Sequence, residues 1–443
     1  MLEPIQAFFR LEAASGLVLL GCAVAALAWA NLAHSSYRLV FEAPVTVGIG
    51  DLVARFSVLE LVNDGLMTLF FFVVGMEIKR ELVLGELRTV PQAILPAIAA
   101  LGGMVVPAGI FFAFNAGRPG APGWGIPMAT DIAFCIGVLT LLESRVPHAL
   151  VVFVTALAIF DDIGGILVIA LFYGAGIHVS WLLAAAAVTA SLLVMSRGYV
   201  RNGIAWTVAG VLLWYSLHHS GIHATIAGVI VGLAIPARPR RPLHAVLREL
   251  SSYTAGLTRG RDDEERDEAA IQGIEERLEE LEAPVTRFVH ALHPWVAFGI
   301  MPLFALANSG IHLSALDASQ LTGRVAVGTA VALFLGKQAG IFAFTVAAVA
   351  AGVARLPGGT TRAKLLGVSI VAGIGFTVAL FIAGLAYPEE PRLLEEAKLG
   401  ILAGSLVSGI VGAVLLRSTS PVGASLREPL STAGVLDAGE RPV

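Results

Sequence analysis

Two adjacent aspartates, Asp161 and Asp162, stand in the apolar stretch TALAIFDDIGGILVIALFYG at residues 155–174. An ionisable side chain inside a membrane is costly unless it is paired, hydrated or neutralised. Three further charged side chains, Asp64, Asp131 and Lys337, also lie inside apolar stretches. Five such charges, four of them acids, indicate a functional site more strongly than a purely structural salt bridge.

The chemistry of the aspartate pair follows from its geometry. Neighbouring residues on a helix point about 100° apart, so the two carboxylates cannot both face the same wall of the helix's surroundings. Both can still border a single cavity if that cavity reaches the corner between them. Two carboxylates in a poorly hydrated cavity repel each other, and we expect proton uptake near neutral pH. The same oxygens suit a small hard cation such as Na⁺, which would compete with the protons. This competition is the minimum requirement for an antiporter, and Lys337, in FLGKQAG, is a candidate partner released when an acid is protonated.

The whole chain has the composition of a membrane protein. Of its 443 residues 56% are hydrophobic and 14% charged, and the mean hydropathy is +0.81. Soluble domains carry about 25% charged residues, so a soluble globular fold is excluded. The net charge of −4 gives no indication of a nucleic-acid partner. Cys22 and Cys135 lie in apolar stretches, and we interpret them as packing residues, so neither a disulfide nor a cofactor is expected.

About twelve apolar stretches suit membrane-spanning helices, which predicts an all-α integral membrane protein. They lie near residues 12–31, 58–82, 93–116, 124–143, 149–174, 179–197, 203–218, 222–236, 293–311, 325–352, 364–386 and 395–416. The two short stretches, 203–218 and 222–236, suit tilted or interior helices. Lys and Arg concentrate in alternate loops, which predicts that both termini are cytoplasmic, and the N-terminus shows no cleaved signal.

The remaining stretches predict a simple domain organisation. Residues 44–58, PVTVGIGDLVARFSV, alternate around a Gly-Asp turn and predict a short β-hairpin on the outer face, with an irregular loop as the alternative. Membrane helices one to eight occupy 1–237 and helices nine to twelve occupy 287–417. Between them, 238–286 form a charged cytoplasmic insert, and 418–443 form a disordered cytoplasmic tail. Ile271, Ile274, Leu278 and Leu281 give the insert an amphipathic helix, which either contacts an unknown partner or is simply solvated.

Two of the spans contain residues that interrupt a helix. Pro127 and Thr130 precede Asp131 in GWGIPMATDIAFCIGV, and Gly373 and Gly375 lie in GVSIVAGIGFTVAL. Backbone freed in mid-membrane must find partners or line a cavity, and paired interruptions indicate a transporter site at the interface of a repeat. Asp131 would offset the positive ends of half-helices, and Lys337 would suit facing C-termini. The alternative is that these glycines only allow helices to pack closely.

Several stretches resemble the NhaA-type sodium/proton antiporters. They are LVNDGLMTLFFFVVGMEIKREL, ALAIFDDIGG, GIHATIAGVIVG, HPWVAFGIMPLFALANSG and GVSIVAGIGFTVALFIAGLA, in order over residues 8–417 apart from the insert. The relation between paired interrupted spans and transporter sites is known in part from this same family. The resemblance implies twelve helices with an inverted repeat, in which the fourth and eleventh are interrupted and cross. It also implies pH-regulated Na⁺(Li⁺)/H⁺ exchange without enzyme activity, and a homodimer joined through 44–58 within the lipids of a bacterial inner membrane. We expect the exchange to proceed by alternating access, and to be electrogenic if the aspartate pair exchanges two protons for one monovalent cation.

The resemblance also implies roles for single residues. Asp162 matches the direct cation ligand, Asp161 its neighbour and the partner of Lys337, Thr130 a group near the cation, and Asp131 the acid that balances the helix ends. Asp64 matches an acid of the second helix whose role stays open. The residues that match the family's pH-response group are Glu77, Lys79, Arg80, Glu81, His223, His290 and His293. The chain departs from the family in its long acidic insert and at Val289, where the family often has an acid.

Three other functions fit parts of this pattern. An intramembrane aspartyl protease needs acids on separate helices, one in a Gly-x-Gly-Asp sequence, whereas Gly375 is followed here by Phe376. A sodium-coupled symporter for an organic solute would need a larger apolar cavity. A passive cation channel does not explain Lys337, which would repel permeating cations.

Overall fold

The computed structural model describes residues 3–49, 52–174, 176–200, 202–239, 283–313 and 318–421, with Val246, Arg248 and Ser251. The predicted amphipathic helix of the insert and the tail from residue 422 lie outside these ranges. In chain order the helices are α1 (Glu3–Leu32), α2 (His34–Phe41), α3 (Val58–Val83), α4 (Val90–Asn115), α5 (Ile132–Leu141), α6 (His148–Phe172), α7 (Val179–Arg197), α8 (Gly203–Ser220), α9 (Ile226–Ala234), α10 (Pro284–Asn308), α11 (Ala318–Leu321), α12 (Arg324–Ala350), α13 (Arg362–Val371), α14 (Phe376–Ala386) and α15 (Pro391–Ser418). Short 3₁₀ segments lie at Glu86–Arg88 and Ala121–Met128.

Most of these helices have the length and apolarity of membrane spans. Within the described ranges, nine helical segments are long and apolar enough to cross a membrane, or ten if α13 and α14 count as one bent span. The nine residues of α9 extend about 14 Å at 1.5 Å per residue, less than half of the roughly 30 Å hydrocarbon core. The all-helical membrane architecture is confirmed, whereas the count of twelve spans stays a prediction.

The predicted β-hairpin is present. Strands β1 (Pro44–Ile49) and β2 (Leu52–Ser57) pair antiparallel with Val45 opposite Phe56. Ser57 then begins α3 through a capping box, in which its Oγ accepts from the Glu60 amide at 3.1 Å and the Glu60 carboxylate accepts from the Ser57 amide at 2.7 Å. Alternation of side chains in the sequence was therefore a correct indication of strands here.

Three of the long helices contain a π-helical turn. These turns lie at Leu61–Leu66 in α3, Val296–Ile300 in α10 and Ala332–Gly336 in α12. Such turns are rare and frequently occur at functional sites. The turn in α12 ends directly before Lys337, so it sets the direction in which the lysine side chain leaves the helix.

The ends of the charged insert meet at one backbone hydrogen bond. The amide of Val285 donates to the carbonyl of Pro236 at 3.2 Å. Helix α10 begins at Pro284, so residues 284–286 of the predicted insert are already helical. The chain therefore leaves and re-enters the membrane region at nearly the same point.

Glycines allow two pairs of helices to approach until their backbones touch. A methyl group added at Gly228 of α9 would overlap with the carbonyl oxygen of Thr68 of α3, and one at Gly75 would lie 2.7 Å from Val229 O. Added methyl groups at Gly102 of α4 and Gly340 of α12 would each overlap with the other residue's carbonyl oxygen. Small residues at such crossings are typical of membrane helices, which gain van der Waals contact there.

We predict that Gly228→Ala destabilises the protein and that Gly210→Ala does not. The nearest atom to a methyl group at Gly210 in α8 is 3.6 Å away, an ordinary contact. Overpacking at a tight contact costs about 1–3 kcal/mol, so the unfolding temperature in detergent should fall for Gly228→Ala. Equal unfolding temperatures for the two variants would contradict the backbone contact between α3 and α9.

Candidate functional site

The two interrupted spans meet in the middle of the protein. The backbone is extended at Ala129, with ψ of 149°, and at Asp131, with ψ of 103°, between the 3₁₀ segment and α5. Helices α13 and α14 meet at a bend of 47° across residues 372–375. The amide of Asp131 donates to the carbonyl of Ile374 at 2.7 Å, so the two interruptions are hydrogen-bonded to each other.

Asp131 caps two short helices at once. Its Oδ1 accepts from the amide of Phe134 at 3.2 Å in the first turn of α5. Its Oδ2 accepts from the amide of Thr377 at 3.1 Å and from the Thr377 hydroxyl at 2.5 Å in the first turn of α14. A carboxylate is stabilised by amide donors and by the partial positive charge of helix N-termini. The negative charge of Asp131, which is 1% exposed, is thereby offset by the fold itself.

Asp161 and Lys337 form a fully buried ion pair. The Lys337 ammonium donates to Asp161 Oδ2 at 2.7 Å, and neither side chain is exposed. The same ammonium donates to the carbonyl of Met128, the last residue of the 3₁₀ segment. The hydroxyl of Thr130 is 2.7 Å from Asp161 Oδ2 and 3.2 Å from the carbonyl of Ala372, and its single proton is shared between these acceptors. The lysine therefore compensates both a carboxylate and the carbonyl end of an interrupted span.

The remaining carboxylate oxygens lack donors. Asp161 Oδ1 is buried and has no hydrogen-bond partner. Asp162 is 8% exposed, and its carboxylate accepts no hydrogen bond from the described part of the chain. Buried charged oxygens without donors are unfavourable. A proton on either carboxylate, or a cation between them, would remove this cost.

A cavity of about 70 Å³ reaches Asp162. Thr130 and Asp131 line it beside Asp162, while Glu77 of α3 and His293 of α10 line it elsewhere, and most of the remaining wall is apolar. His293 Nε2 lies 3.9 Å from Glu77 Oε1, and these side chains are 15% and 24% exposed. The cavity thus joins the buried carboxylates to a more exposed acid–histidine pair.

The other residues of the predicted pH-response group lie elsewhere. Lys79 donates to the carbonyl of Leu233 at the end of α9, Arg80 pairs with Glu81 at 3.6 Å, and His290 is exposed on α10. None of these four, nor His223, lines the cavity at Asp162. The structure therefore brings only Glu77 and His293 of that group to the site.

His223, Val289 and Asp64 also lie away from the cavity. His223 Nδ1 is 3.0 Å from the Thr225 hydroxyl, and its ring is 5.7 Å from that of Phe381. Val289 is 2% exposed within the core, so an acid in its place would be buried. Asp64 lies in the π-helical turn of α3, where its backbone carbonyl accepts from the Thr68 hydroxyl at 2.5 Å.

Two polar residues at the crossing, Thr377 and Ser405, were not predicted from the sequence. Thr377 gives Asp131 two of its donors, as described above. Ser405 of α15, 7% exposed, accepts from the amides of Gly375 and Phe376 at 3.3 Å each and so caps α14 from another helix. A small polar residue in an apolar span is more often a packing residue, so the sequence carried no specific signal for this role.

Comparison with known proteins gives one family for this chain. The family model described as Na⁺/H⁺ antiporter 1 matches residues 6–416. The Na(+)/H(+) antiporter NhaA of Anaeromyxobacter sp. (strain Fw109-5) is 65% identical over 439 residues, covering 99% of this chain and 96% of the relative. NhaA 1 of Myxococcus xanthus (strain DK1622) is 60% identical over 94% of this chain and 93% of its own. NhaA of Oleidesulfovibrio alaskensis is 46% identical, with 94% of each chain covered.

We predict that Lys337→Met destabilises the protein more at pH 8 than at pH 5. Removing one partner of a buried ion pair costs about 3–5 kcal/mol because the other charge stays buried without compensation. A deprotonated Asp161 has no counter-charge in the variant, whereas a protonated one needs none, so the deficit should grow as the pH rises. Unfolding temperatures in detergent at both pH values give the measurement.

Asp161→Asn added to Lys337→Met is the matched control for this prediction. It removes the uncompensated charge, so the difference between the two pH values should shrink. A deficit of the single variant that does not depend on pH would contradict the role of the lysine in charge compensation.

Proposed function

Because the chain belongs to the Na⁺/H⁺ antiporter 1 family, we propose that it is a secondary active antiporter that exports Na⁺ in exchange for H⁺. This membership makes the protein a transporter and not an enzyme. Together with the nine or ten segments of the described ranges that are long and apolar enough to cross a membrane, it identifies a multi-pass membrane protein.

The observation that supports the proposed function best is that Asp161 and Asp162 carry buried carboxylate oxygens without donors and that Asp162 lines the cavity. Asp162 is the direct cation ligand, because its carboxylate borders the cavity and accepts no hydrogen bond within the described residues. Asp161 supplies the adjacent oxygen Oδ1, and the Thr130 hydroxyl offers its lone pairs. A hard cation binds oxygen ligands, and either Na⁺ or the smaller Li⁺ suits this set.

The proposed cycle alternates one site between the two faces of the membrane. On the cytoplasmic face the carboxylates release protons and bind Na⁺, and on the outer face protons displace Na⁺. A proton on Asp161 removes its attraction for Lys337, and the ammonium keeps only the carbonyl of Met128 as a partner. Two protons exchanged for one Na⁺ move one net charge inward, so the cycle is electrogenic.

The crossing of the interrupted spans is the proposed moving element. Asp131 and Ser405 hold the start of α14, while the Met128 carbonyl binds Lys337, so ion binding is connected to the short helices by hydrogen bonds. A change of charge at Asp161 therefore acts directly on the backbone of the 3₁₀ segment. The twelve-helix fold with an inverted repeat, in which these are the fourth and eleventh spans, is part of this proposal.

Glu77 and His293 are the proposed origin of pH regulation. They line the same cavity as Asp162, so a change in their charge alters the field through which the cation enters. Lys79, Arg80, Glu81, His223 and His290 act indirectly in this proposal, because they lie away from that cavity. Lys79 fixes the end of α9 through the carbonyl of Leu233.

We further propose how the protein sits in its membrane. The distribution of Lys and Arg supports cytoplasmic termini, and the bacterial relatives support an inner membrane as the location. A homodimer would form through the hairpin at 44–58 within the surrounding lipids. The acidic insert would then face the cytoplasm, where a partner for it is unknown.

The cavity argues against a symporter for an organic solute. Pockets for such ligands enclose about 300–1,000 Å³, whereas the cavity at Asp162 encloses about 70 Å³. An alkali ion fits this space together with water. Antiport of an alkali ion against protons is therefore the function that the geometry favours.

We predict that Asp162→Asn abolishes exchange. In proteoliposomes with an acidic interior, added Na⁺ should restore the fluorescence of a ΔpH dye for the wild type. The rate should fall at least about 100-fold in the variant. Loss of a residue that only supports a metal ligand already lowers affinity or activity about 10–100-fold, and Asp162 is proposed to contact the ion itself. Na⁺ should also release protons from the purified wild-type protein but not from the variant.

Glu396→Gln is the matched control for this experiment. Glu396 is another buried acid, 7% exposed in α15 and 3.8 Å from Arg392, and it does not line the cavity at Asp162. This variant should keep the wild-type rate. Full exchange by Asp162→Asn would show that the ion binds elsewhere.

We also predict that membrane potential drives the exchange. Two protons per Na⁺ carry net positive charge inward, so an inside-negative potential should accelerate Na⁺ efflux from proteoliposomes. A K⁺ gradient with valinomycin sets the potential, and ²²Na⁺ reports the flux. A flux that does not respond to the potential would establish electroneutral exchange.

A further inference from the structure

Two tyrosines connect the ends of α6 and α14 to the 3₁₀ segment Ala121–Met128 and to its N-cap, Gly120. Tyr173 follows α6, the helix that carries Asp161 and Asp162, and its hydroxyl donates to the carbonyl of Pro122 at 2.8 Å and accepts from the amide of Gly125 at 3.2 Å. Tyr387 follows α14, and its hydroxyl donates to the carbonyl of Gly120 at 2.7 Å. The helix of the aspartate pair and the second half of an interrupted span are thus bonded to the start of the same segment.

Two glycines give these hydroxyls access to the backbone. A methyl group at Gly123 would overlap with the hydroxyl of Tyr387, and one at Gly125 would lie 2.8 Å from that of Tyr173. Burial raises the pKa of both tyrosines, so both hydroxyls keep the protons that they donate. The contacts therefore depend on small residues at two positions, and they persist over the physiological pH range.

The 3₁₀ segment adjoins the site, and none of its residues lines the cavity that contains Glu77 and His293. Gly123, Ile126 and Met128 are buried, and Ile126 has no exposed surface. The carbonyl of Met128 binds Lys337, and Thr130 and Asp131 follow directly. The site is thus open to the cavity that holds the acid–histidine pair and closed by this segment at the end where α6 and α14 stop.

We propose that Tyr173 and Tyr387 are positioning residues that keep the site closed toward the outer face, and that their three hydrogen bonds break when the site opens there. This inference rests on the proposed antiport, which requires the same site to open to both faces. Opening outward needs the 3₁₀ segment to leave the ends of α6 and α14. The hydroxyls stabilise only the inward-open state, so their removal shifts the equilibrium outward.

Phenylalanine variants test this role because they remove only the hydroxyl and keep the ring. The net contribution of one hydrogen bond corresponds to about a two- to tenfold change in an equilibrium constant. In proteoliposomes of known orientation, Tyr173→Phe and Tyr387→Phe should lower the half-maximal Na⁺ concentration at the outer face by about this factor. The same variants should raise it at the cytoplasmic face.

Tyr37→Phe is the matched control. Tyr37 is 7% exposed, and its hydroxyl is 2.8 Å from the carbonyls of Leu306 and Ala307 at the end of α10, away from the 3₁₀ segment. This variant loses a comparable hydrogen bond and should leave both half-maximal concentrations unchanged. Shifts of the same sign at both faces, or shifts equal to those of Tyr37→Phe, would overturn the proposal.

Amide hydrogen exchange gives a second readout that needs no transport. The peptide covering residues 121–131 should exchange faster in Tyr173→Phe and Tyr387→Phe by about two- to tenfold, and unchanged in Tyr37→Phe. Unchanged exchange in all three variants overturns the proposal regardless of transport. Faster exchange together with a wild type that moves no Na⁺ would disprove the antiport while leaving the tyrosine contacts supported.

Discussion

Three buried aspartates, Asp131, Asp161 and Asp162, lie near a single lysine, Lys337, and the rest of the site depends on how this excess of negative charge is compensated. Asp131 is offset by the N-terminal amides of two short helices, and Asp161 is offset by Lys337. Asp162 has no ion pair and accepts no hydrogen bond within the described part of the chain, and Lys337 acts on it only from a distance. A buried charge must be paired or neutralised. The third acid therefore requires a mobile positive species, and this requirement connects the fold to ion exchange.

Close helix contacts hold that arrangement in place. The backbone contact between Gly102 and Gly340 fixes α12 against α4, and Lys337 lies one turn before Gly340 in α12. The π-helical turn at Ala332–Gly336 then directs the ammonium toward Asp161 and Met128. Interiors packed in this way resist continuous deformation and change between discrete arrangements. The charges are thus held by the same contacts that limit how the helices can move.

Much of this site was predictable because its residues are unusual in an apolar chain. The aspartate pair, Lys337, the interruption around Pro127 and the hairpin at 44–58 each break a local pattern. Thr377, Ser405 and the two tyrosines do not, since threonine, serine and tyrosine are ordinary in membrane helices. Their partners lie far along the chain, as in the bond between Asp131 and Thr377, 246 residues apart. Helix packing selects such partners, and no periodicity in the sequence encodes it.

The hydrogen bond between Val285 and Pro236 has a consequence for how this protein can change over time. It joins the two ends of the insert, so the positions of the helices on either side do not depend on how many residues lie between those ends. Doubling the length of a flexible loop costs only about 0.6 kcal/mol. New sequence can accumulate at this point, or a reporter can be grafted there, while the ion pathway is left undisturbed.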